Sequence, residues 1–302
     1  MNSFEEIFDE IKKHDTFYLS GHKNPDGDSI GSCRCLQLAL EQLGKKVQSM
    51  PGNNYIFFQL DVQPEYRIPD EALDAKEKAS LTICFDHHQP DAPNCDFVYI
   101  DSSAAANALI IWDFVKFIGV KITKEIATAA YFGLCSDTNG FRNSNTDQRC
   151  FDAAAEMMNF GVDAAQVARE LFQNRSLASF ELEKIVLDRM IVDKPNKFAF
   201  SYLTAEDYKR LNATKADSDA MIDLLREISF VEVSCIIRQE EAGQKIKGSL
   251  RSKGNVDVTK LAKLHVGGGH LGAAGFTMNT IDISEAVDLV KSQLYDLMAG
   301  KL

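Results

Sequence analysis

The chain has no Cys-x-x-Cys pair, no excess of positive charge, and no apolar run near the roughly 20 residues that span a bilayer. Its seven cysteines (Cys33, Cys35, Cys84, Cys95, Cys135, Cys150 and Cys235) are an odd set without zinc-ribbon spacing. They read as small buried hydrophobes in a reducing cytoplasm. The net charge of −11 argues against a protein that coats nucleic acid by bulk electrostatics, though not against a small anion held at one local site. The first residues, Met1-Asn2-Ser3-Phe4-Glu5-Glu6, are acidic and amphipathic rather than signal-like, so a cytoplasmic protein with no membrane partner is expected. Walker A and Rossmann fingerprints are both missing, as is any internal repeat with a period of about 20–50 residues.

What is present is an ordinary globular composition, 45% apolar and 25% charged over 302 residues, enough for two domains with separate cores. A capping box at Ser3/Glu6 opens a helix to His14. Strands are expected at Thr16–Ser20, Tyr55–Leu60 and Leu81–Phe85. Helices are expected at Ser29–Leu43, Ser103–Ile118 and Thr123–Cys135. This alternation predicts an α/β fold, a mainly parallel sheet flanked by helices, with ligands at the carboxyl ends of its strands. Helices follow at Thr146–Phe160 and Asp163–Phe172, and one over Ser176–Val192 reads as a connector. Strands at Phe198–Leu203, Val231–Arg238 and Lys245–Arg251, with helices at Ser218–Glu227, Asp257–Leu264 and Ser284–Met298, predict a smaller α+β domain. The expected division is a catalytic domain over 1–175, a linker helix over 176–194 and a substrate-binding domain over 195–302.

Three polar clusters fall at the expected strand or helix ends: His22-Lys23-Asn24-Pro25-Asp26-Gly27-Asp28, Asp86-His87-His88, and Ser136-Asp137-Thr138-Asn139-Gly140. Asp26-Gly27 alone would be a surface turn, Asp137 alone a helix C-terminus, and a single buried His a satisfied core residue. Taken together they supply the carboxylates and imidazoles that a pair of hard divalent cations needs. Two Asp residues one apart repel in an apolar pocket unless cations neutralise them. Adjacent His87 and His88 on extended chain point to opposite sides, so they are expected to take separate roles. Arg142 offers either a bidentate phosphate grip or a surface ion pair. Further on, Gly267-Gly268-Gly269-His270 reads as a loop whose backbone N–H groups form an anion nest. Lys245, Lys247, Arg251, Lys253, Lys260 and Lys263 make the stretch before it locally basic.

The ordered combination Gly21-His22-Lys23-Asn24-Pro25-Asp26-Gly27-Asp28, Asp86-His87-His88, Asp137-Thr138-Asn139-Gly140-Phe141 and Gly267-Gly268-Gly269-His270-Leu271-Gly272 resembles the DHH phosphoesterase superfamily with its DHH-associated C-terminal domain. Among members, the chain most resembles the bifunctional oligoribonuclease/pAp phosphatases, or nanoRNases, and it carries the short Arg251-Ser252-Lys253-Gly254 element expected shortly before the glycine motif. The resemblance implies two metals. His22, Asp26 and Asp61 would hold one, and Asp28, Asp61, His87 and Asp137 the other. Asp61, at the end of Tyr55–Leu60, is the best match for the bridging Asp, ahead of Asp70 and Asp74, which are expected on a solvent-facing helix. Such ligands suit Mn²⁺, with Mg²⁺ or Co²⁺ as substitutes. His88 is then the candidate acid or substrate contact and Asp86 its orienting carboxylate. Arg142, Arg251, Ser252, Gly268, Gly269 and His270 are the candidate substrate contacts. Val266 and Leu271 stand where the family often has a fourth glycine and an arginine. The implied activity is hydrolysis of short RNA to 5′-mononucleotides and 3′-phosphate removal from pAp. Alternatives are a cyclic-di-AMP or pApA phosphodiesterase, a pyrophosphatase or exopolyphosphatase, and a non-catalytic nucleotide-binding regulator. A second copy of the chain is a candidate partner.

Overall fold

The computed structural model describes residues 2–49, 52, 54–89 and 92–302. The chain divides into two compact units, Met1–Asn174 and Arg175–Leu302.

The first unit runs α1 (Phe4–Lys13), β1 (Thr16–Ser20), α2 (Gly27–Gln42), β2 (Lys46–Val47), β3 (Ile56–Leu60), α3 (Asp70–Lys78), β4 (Leu81–Asp86), β5 (Phe97–Ile100), α4 (Asn107–Phe117), α5 (Lys124–Asp137), α6 (Gln148–Met158) and α7 (Ala164–Phe172). Its sheet has the order β2-β1-β3-β4-β5, every pair parallel. Strand alternation splits the apolar residues between two faces. Ile56, Phe58, Leu60, Ile83 and Phe85 pack with Leu36, Leu109, Trp112, Phe114 and Leu134 of the helices on one side, whereas Phe57 packs with Val62, Ile68 and Ala72 on the other. The chain leaves β1 towards one edge and returns to β3 on its opposite side, so a crevice opens beyond the carboxyl ends of β1 and β3, where such sheets bind ligands.

Three elements of this unit depart from the sequence expectation. The short strands β2 and β5 carry too few residues to register as runs. The helix expected from Ser103 starts at Asn107, because the Asp28 carboxylate accepts the Asn107 and Ala108 amides at 2.6 and 2.8 Å and fixes the first turn there.

The second unit runs α8 (Leu177–Asp188), β6 (Ile191–Asp193), β7 (Phe198–Leu203), α9 (Ala205–Leu211), α10 (Met221–Arg226), β8 (Val233–Arg238), β9 (Lys247–Ser252), α11 (Thr259–Ala262), β10 (Val266–His270), β11 (Ala273–Thr277) and α12 (Ile283–Met298). The sheet order is β10-β11-β9-β8-β7-β6, antiparallel except for β7–β8. The helix expected as a connector ends at Asp188 and belongs to this unit: Leu182 and Val186 of α8 pack with Leu203, Tyr208 and Leu225. The triple glycine is not a loop. It forms β10, an edge strand paired with β11 from Val266↔Thr277 to His270↔Ala273. Three glycines carry no β-type side-chain pattern, which is why periodicity passed over the strand.

Candidate metal centre

Each cluster is delivered by a backbone stop. Pro25 prevents an early helix, and Asp26 becomes the N-cap of α2, its Oδ1 accepting the Asp28 and Ser29 amides at 3.0 and 3.1 Å. The Asp26 Oδ2 is thereby turned to within 3.5 Å of His22 Nε2. Asp61 directly follows β3 in a left-handed conformation, φ 59°, with its amide donating to the Phe85 carbonyl at 3.0 Å. For an Asp this conformation is tolerable but uncommon, and it throws a buried carboxylate into the crevice. Asp70 and Asp74 are exposed on α3, as expected. The Asp137 carboxylate ends α5, and the loop behind it is tied back by Asn143 and Asn145, whose side-chain amides donate to the Asp137 carbonyl.

Asp61 joins the clusters. Its Oδ2 lies 3.5 Å from His22 Nε2, and its Oδ1 lies 3.5 Å from His87 Nε2. His87 Nε2 also faces Asp137 Oδ2 at 3.5 Å and Asp28 Oδ2 at 3.8 Å. Three compact groups that could hold a cation result, His22/Asp26/Asp61, Asp28/His87/Asp137 and Asp61/Asp86/His87/His88, each with one donor atom per residue within 4.8 Å of the others. Atoms sharing an octahedral cation at bonds of about 2.1 Å stand about 3–4 Å apart. The spacing suits cations.

Hydrogen bonds set the usable nitrogen on each imidazole. His22 Nδ1 faces the Lys23 carbonyl at 2.8 Å and His87 Nδ1 faces the Ala104 carbonyl at 3.2 Å. A carbonyl only accepts, so Nδ1 carries the proton in both rings and Nε2 is left to ligate. Two buried carboxylate oxygens, Asp61 Oδ1 and Asp86 Oδ2, have no hydrogen-bond donor among the described residues, an arrangement that stays charged only beside positive charge.

The electrostatics agree. Burial, then the charges of Asp61 and Asp137, push the Asp28 carboxyl well above its ordinary range. Burial also lifts Asp137 to about 6, with His87 opposing and Asp61 and Asp26 adding to the rise. Burial disfavours the charged form of His22, yet the Asp26 and Asp61 carboxylates outweigh it and raise the ring to about 10. His87 likewise reaches about 10 against burial, through Asp61 and the charges of Asp28 and Asp137. Protons stand where cations would remove the repulsion.

His87 and His88 are not on opposite sides. The Asp86 Oδ1 accepts both their amides, at 2.7 and 3.1 Å, and this turn ends the strand and brings the rings to 4.6 Å in an edge-to-face pair. The same oxygen receives His88 Nδ1 at 2.7 Å, so Asp86 orients His88 while His87 faces the ligand groups. Two glutamines escaped the sequence reading. Gln59 Nε2 donates to the Val62 and Gln63 carbonyls, and Gln63 Nε2 donates to the His88 and Gln89 carbonyls, so the turns after Asp61 and after His88 are stitched together. A glutamine buried inside the apolar run Tyr55–Val62 was the available signal.

Two family models match the chain, the N-terminal domain of the DHH family over residues 16–134 and the DHHA1 domain over residues 196–296. A bifunctional oligoribonuclease and PAP phosphatase of Thermus thermophilus is 32% identical over 90% of this chain and 87% of its own length. The chain belongs to the DHH phosphoesterase family. A probable enzyme of the same name from Streptococcus mutans is 27% identical over 96% of this chain and 97% of its own. An exopolyphosphatase-related protein from Bacteroides fragilis shares the fold, with a TM-score of 0.90 at 24% identity over 98% of this chain and 96% of that one.

The other candidate residues make contacts within their own units. Arg142 is exposed and folds back on Asn139, donating from Nε to its carbonyl and from Nη2 to its side chain. Arg251 on β9 is half-buried, 4.0 Å from Asp223, and burial holds its guanidinium below the usual value. Ser252 is buried, its amide donating to Gly272. Gly268 and Gly269 lie on the edge strand, where alternate residues turn N–H and C=O away from the sheet. For His270 only the backbone, the last residue of β10, is described.

Proposed function

We propose that the chain is a Mn²⁺-dependent phosphoesterase of the cytoplasm that releases 5′-mononucleotides from the 3′ ends of short oligoribonucleotides and removes the 3′-phosphate of pAp. The observation that carries this reading is a pair of ligand groups, His22/Asp26/Asp61 and Asp28/His87/Asp137, with the Asp61 carboxylate between them, one oxygen facing His22 and the other His87, on a chain whose relatives are named for those two activities. His22, Asp26 and Asp61 would hold one cation, and Asp28, Asp61, His87 and Asp137 the other. When bound, the cations supply positive charge that polarises the phosphoryl group and acidifies a water. His22 and His87 keep Nε2 turned inward because carbonyls hold their Nδ1 protons. Asp28 is fixed by the first turn of α4, so the carboxylate need not reorganise when the site is occupied. Asp86 orients His88, which serves as the proton donor to the leaving oxygen or as a contact to the phosphate. Arg251, Ser252 and the amides of Gly268 and Gly269 serve as substrate contacts, and Arg142 as a phosphate grip once it releases Asn139.

The test is turnover of a panel of short RNA, short DNA, pAp, cyclic-di-AMP and pyrophosphate with Mn²⁺. Short RNA and pAp should be preferred. H87A and D137A should lose activity by more than about 100-fold, beyond the cost of a merely supporting contact, with circular dichroism unchanged. Preferential turnover of pyrophosphate, or full activity in either variant, overturns the assignment.

A further inference from the structure

Behind Asp61, on the sheet face that carries α3, two thiols meet. Gln59 of β3 and Cys84 of β4 are register partners, so their side chains stand side by side. Cys84 Sγ lies 3.6 Å from the Val62 carbonyl oxygen, and Cys95 Sγ lies 3.5 Å from Gln59 Oε1. Gln59 Nε2 donates to that same Val62 carbonyl at 2.8 Å, so both sulfurs rest on one Gln59–Val62 unit. Neither thiol has a part in the chemistry proposed above. We propose that Cys84 and Cys95 form a dithiol that peroxide oxidises to a disulfide, and that this bond weakens cation binding at Asp61.

The two thiols are unlike. Cys84 is fully buried, and Cys95 is partly exposed at the start of the segment leading into β5. The neighbouring Cys84 thiol draws the Cys95 thiol below its ordinary value; burial opposes this and the Lys76 ammonium assists. Cys95 is therefore the attacking sulfur. It displaces hydroxide from the peroxide O–O bond, which departs as water, and is left as a sulfenic acid. Cys84 then displaces the sulfenic hydroxyl as a second water and the S–S bond forms. Each sulfur gives up one electron, and one hydrogen peroxide is reduced to two waters.

The coupling rests on the metal-centre reading above. An S–S bond of about 2.05 Å draws the sulfurs well inside hydrogen-bond distance and removes the Cys84 proton from the Val62 carbonyl. Val62 follows Asp61 directly, and Gln59, which holds that carbonyl, loses its Cys95 contact at the same time. The shared carboxylate is the ligand most exposed to the change.

Metal-free full-length protein treated with one equivalent of hydrogen peroxide should yield a Cys84–Cys95 linked peptide two hydrogens lighter than its parts, reversed by dithiothreitol. Mn²⁺ binding by calorimetry should weaken at least tenfold on oxidation and recover on reduction. C95S should bind Mn²⁺ like the reduced wild type and keep that affinity after peroxide; C95A serves the same purpose if the serine disturbs folding. Absence of the linked peptide, pairing with another cysteine, or equal loss in C95S overturns the proposal, and a linked peptide with unchanged affinity overturns the coupling. Reduced wild type that binds no Mn²⁺ overturns the metal centre and with it the coupling, while the linked peptide still decides the dithiol.

Discussion

Asp61 and the two imidazoles beside it set the behaviour of the site at the scale of single residues. In the metal-free protein the carboxylates raise His22 and His87 to about 10, so both rings are cations at neutral pH. A divalent cation must displace those protons. Binding at pH 7 should release them, and apparent affinity should rise steadily from pH 6 to 9. Stability runs the opposite way. A raised imidazole pKa stabilises the metal-free fold fully below about 6.5, its unfolded value, and that contribution is lost as pH rises through about 10. Calorimetry in buffers of different ionisation enthalpy counts the protons, and a pH-independent affinity with no release would contradict the account. The candidate ligands were legible in sequence because His22-x-x-x-Asp26-x-Asp28 and Asp86-His87-His88 are local, and the structure brings these side chains together. The choice of nitrogen was not, since it depends on the Ala104 carbonyl, far from His87 in the chain, and on a turn made by Asp86.

At the scale of elements, the proposed ligands Asp28 and Asp137 are brought together by the crossing of α2 and α5. A Cβ on Gly31 would stand 2.6 Å from the Ala129 carbonyl oxygen. One on Gly133 would stand 2.4 Å from Ala108 Cβ and 2.9 Å from Asp28 Oδ1. The two glycines let the helices touch, and so let Asp28 and Asp137 share His87. G133A should destabilise the fold by about 1–3 kcal/mol, as overpacking does, and should also weaken Mn²⁺ binding because the clash falls on a ligand. Chemical denaturation and calorimetry on one sample check both. G268A, where a Cβ meets nothing within 4 Å, should change stability by less than about 0.5 kcal/mol. Thr16–Ser20 and Phe198–Leu203 were readable as short runs rich in aromatic and aliphatic residues, and α12 by the helical spacing of its buried Ala286, Val290, Leu294 and Leu297. β10 was not, since glycine carries no such pattern and its strand identity comes wholly from pairing with β11.

On the scale of the whole molecule, every proposed cation ligand lies between His22 and Asp137, inside the first unit, and each unit has its own buried cores. The structure divides after Asn174, and α8, which reads in sequence as a connector, packs into the second unit, because a helix shows its apolar stripe without showing which core receives it. The chain has a single tryptophan, Trp112, fully buried in the first unit with its Nε1–H donating to Glu156 at 3.0 Å. Tryptophan fluorescence therefore reports the unfolding of that unit, whereas far-UV circular dichroism reports helices of both. A ligand that binds only the folded first unit stabilises it by about 2.7 kcal/mol at a free concentration 100 times its Kd. Mn²⁺ should thus raise the thermal midpoint seen by Trp112 and leave the remaining dichroism transition in place, and D137A should abolish the shift. Equal movement of both transitions would mean that the units unfold as one cooperative block, or that the cation draws ligands from beyond residue 174. Loss of the Trp112 shift in D137A with the second transition unmoved would tie the effect to the centre itself.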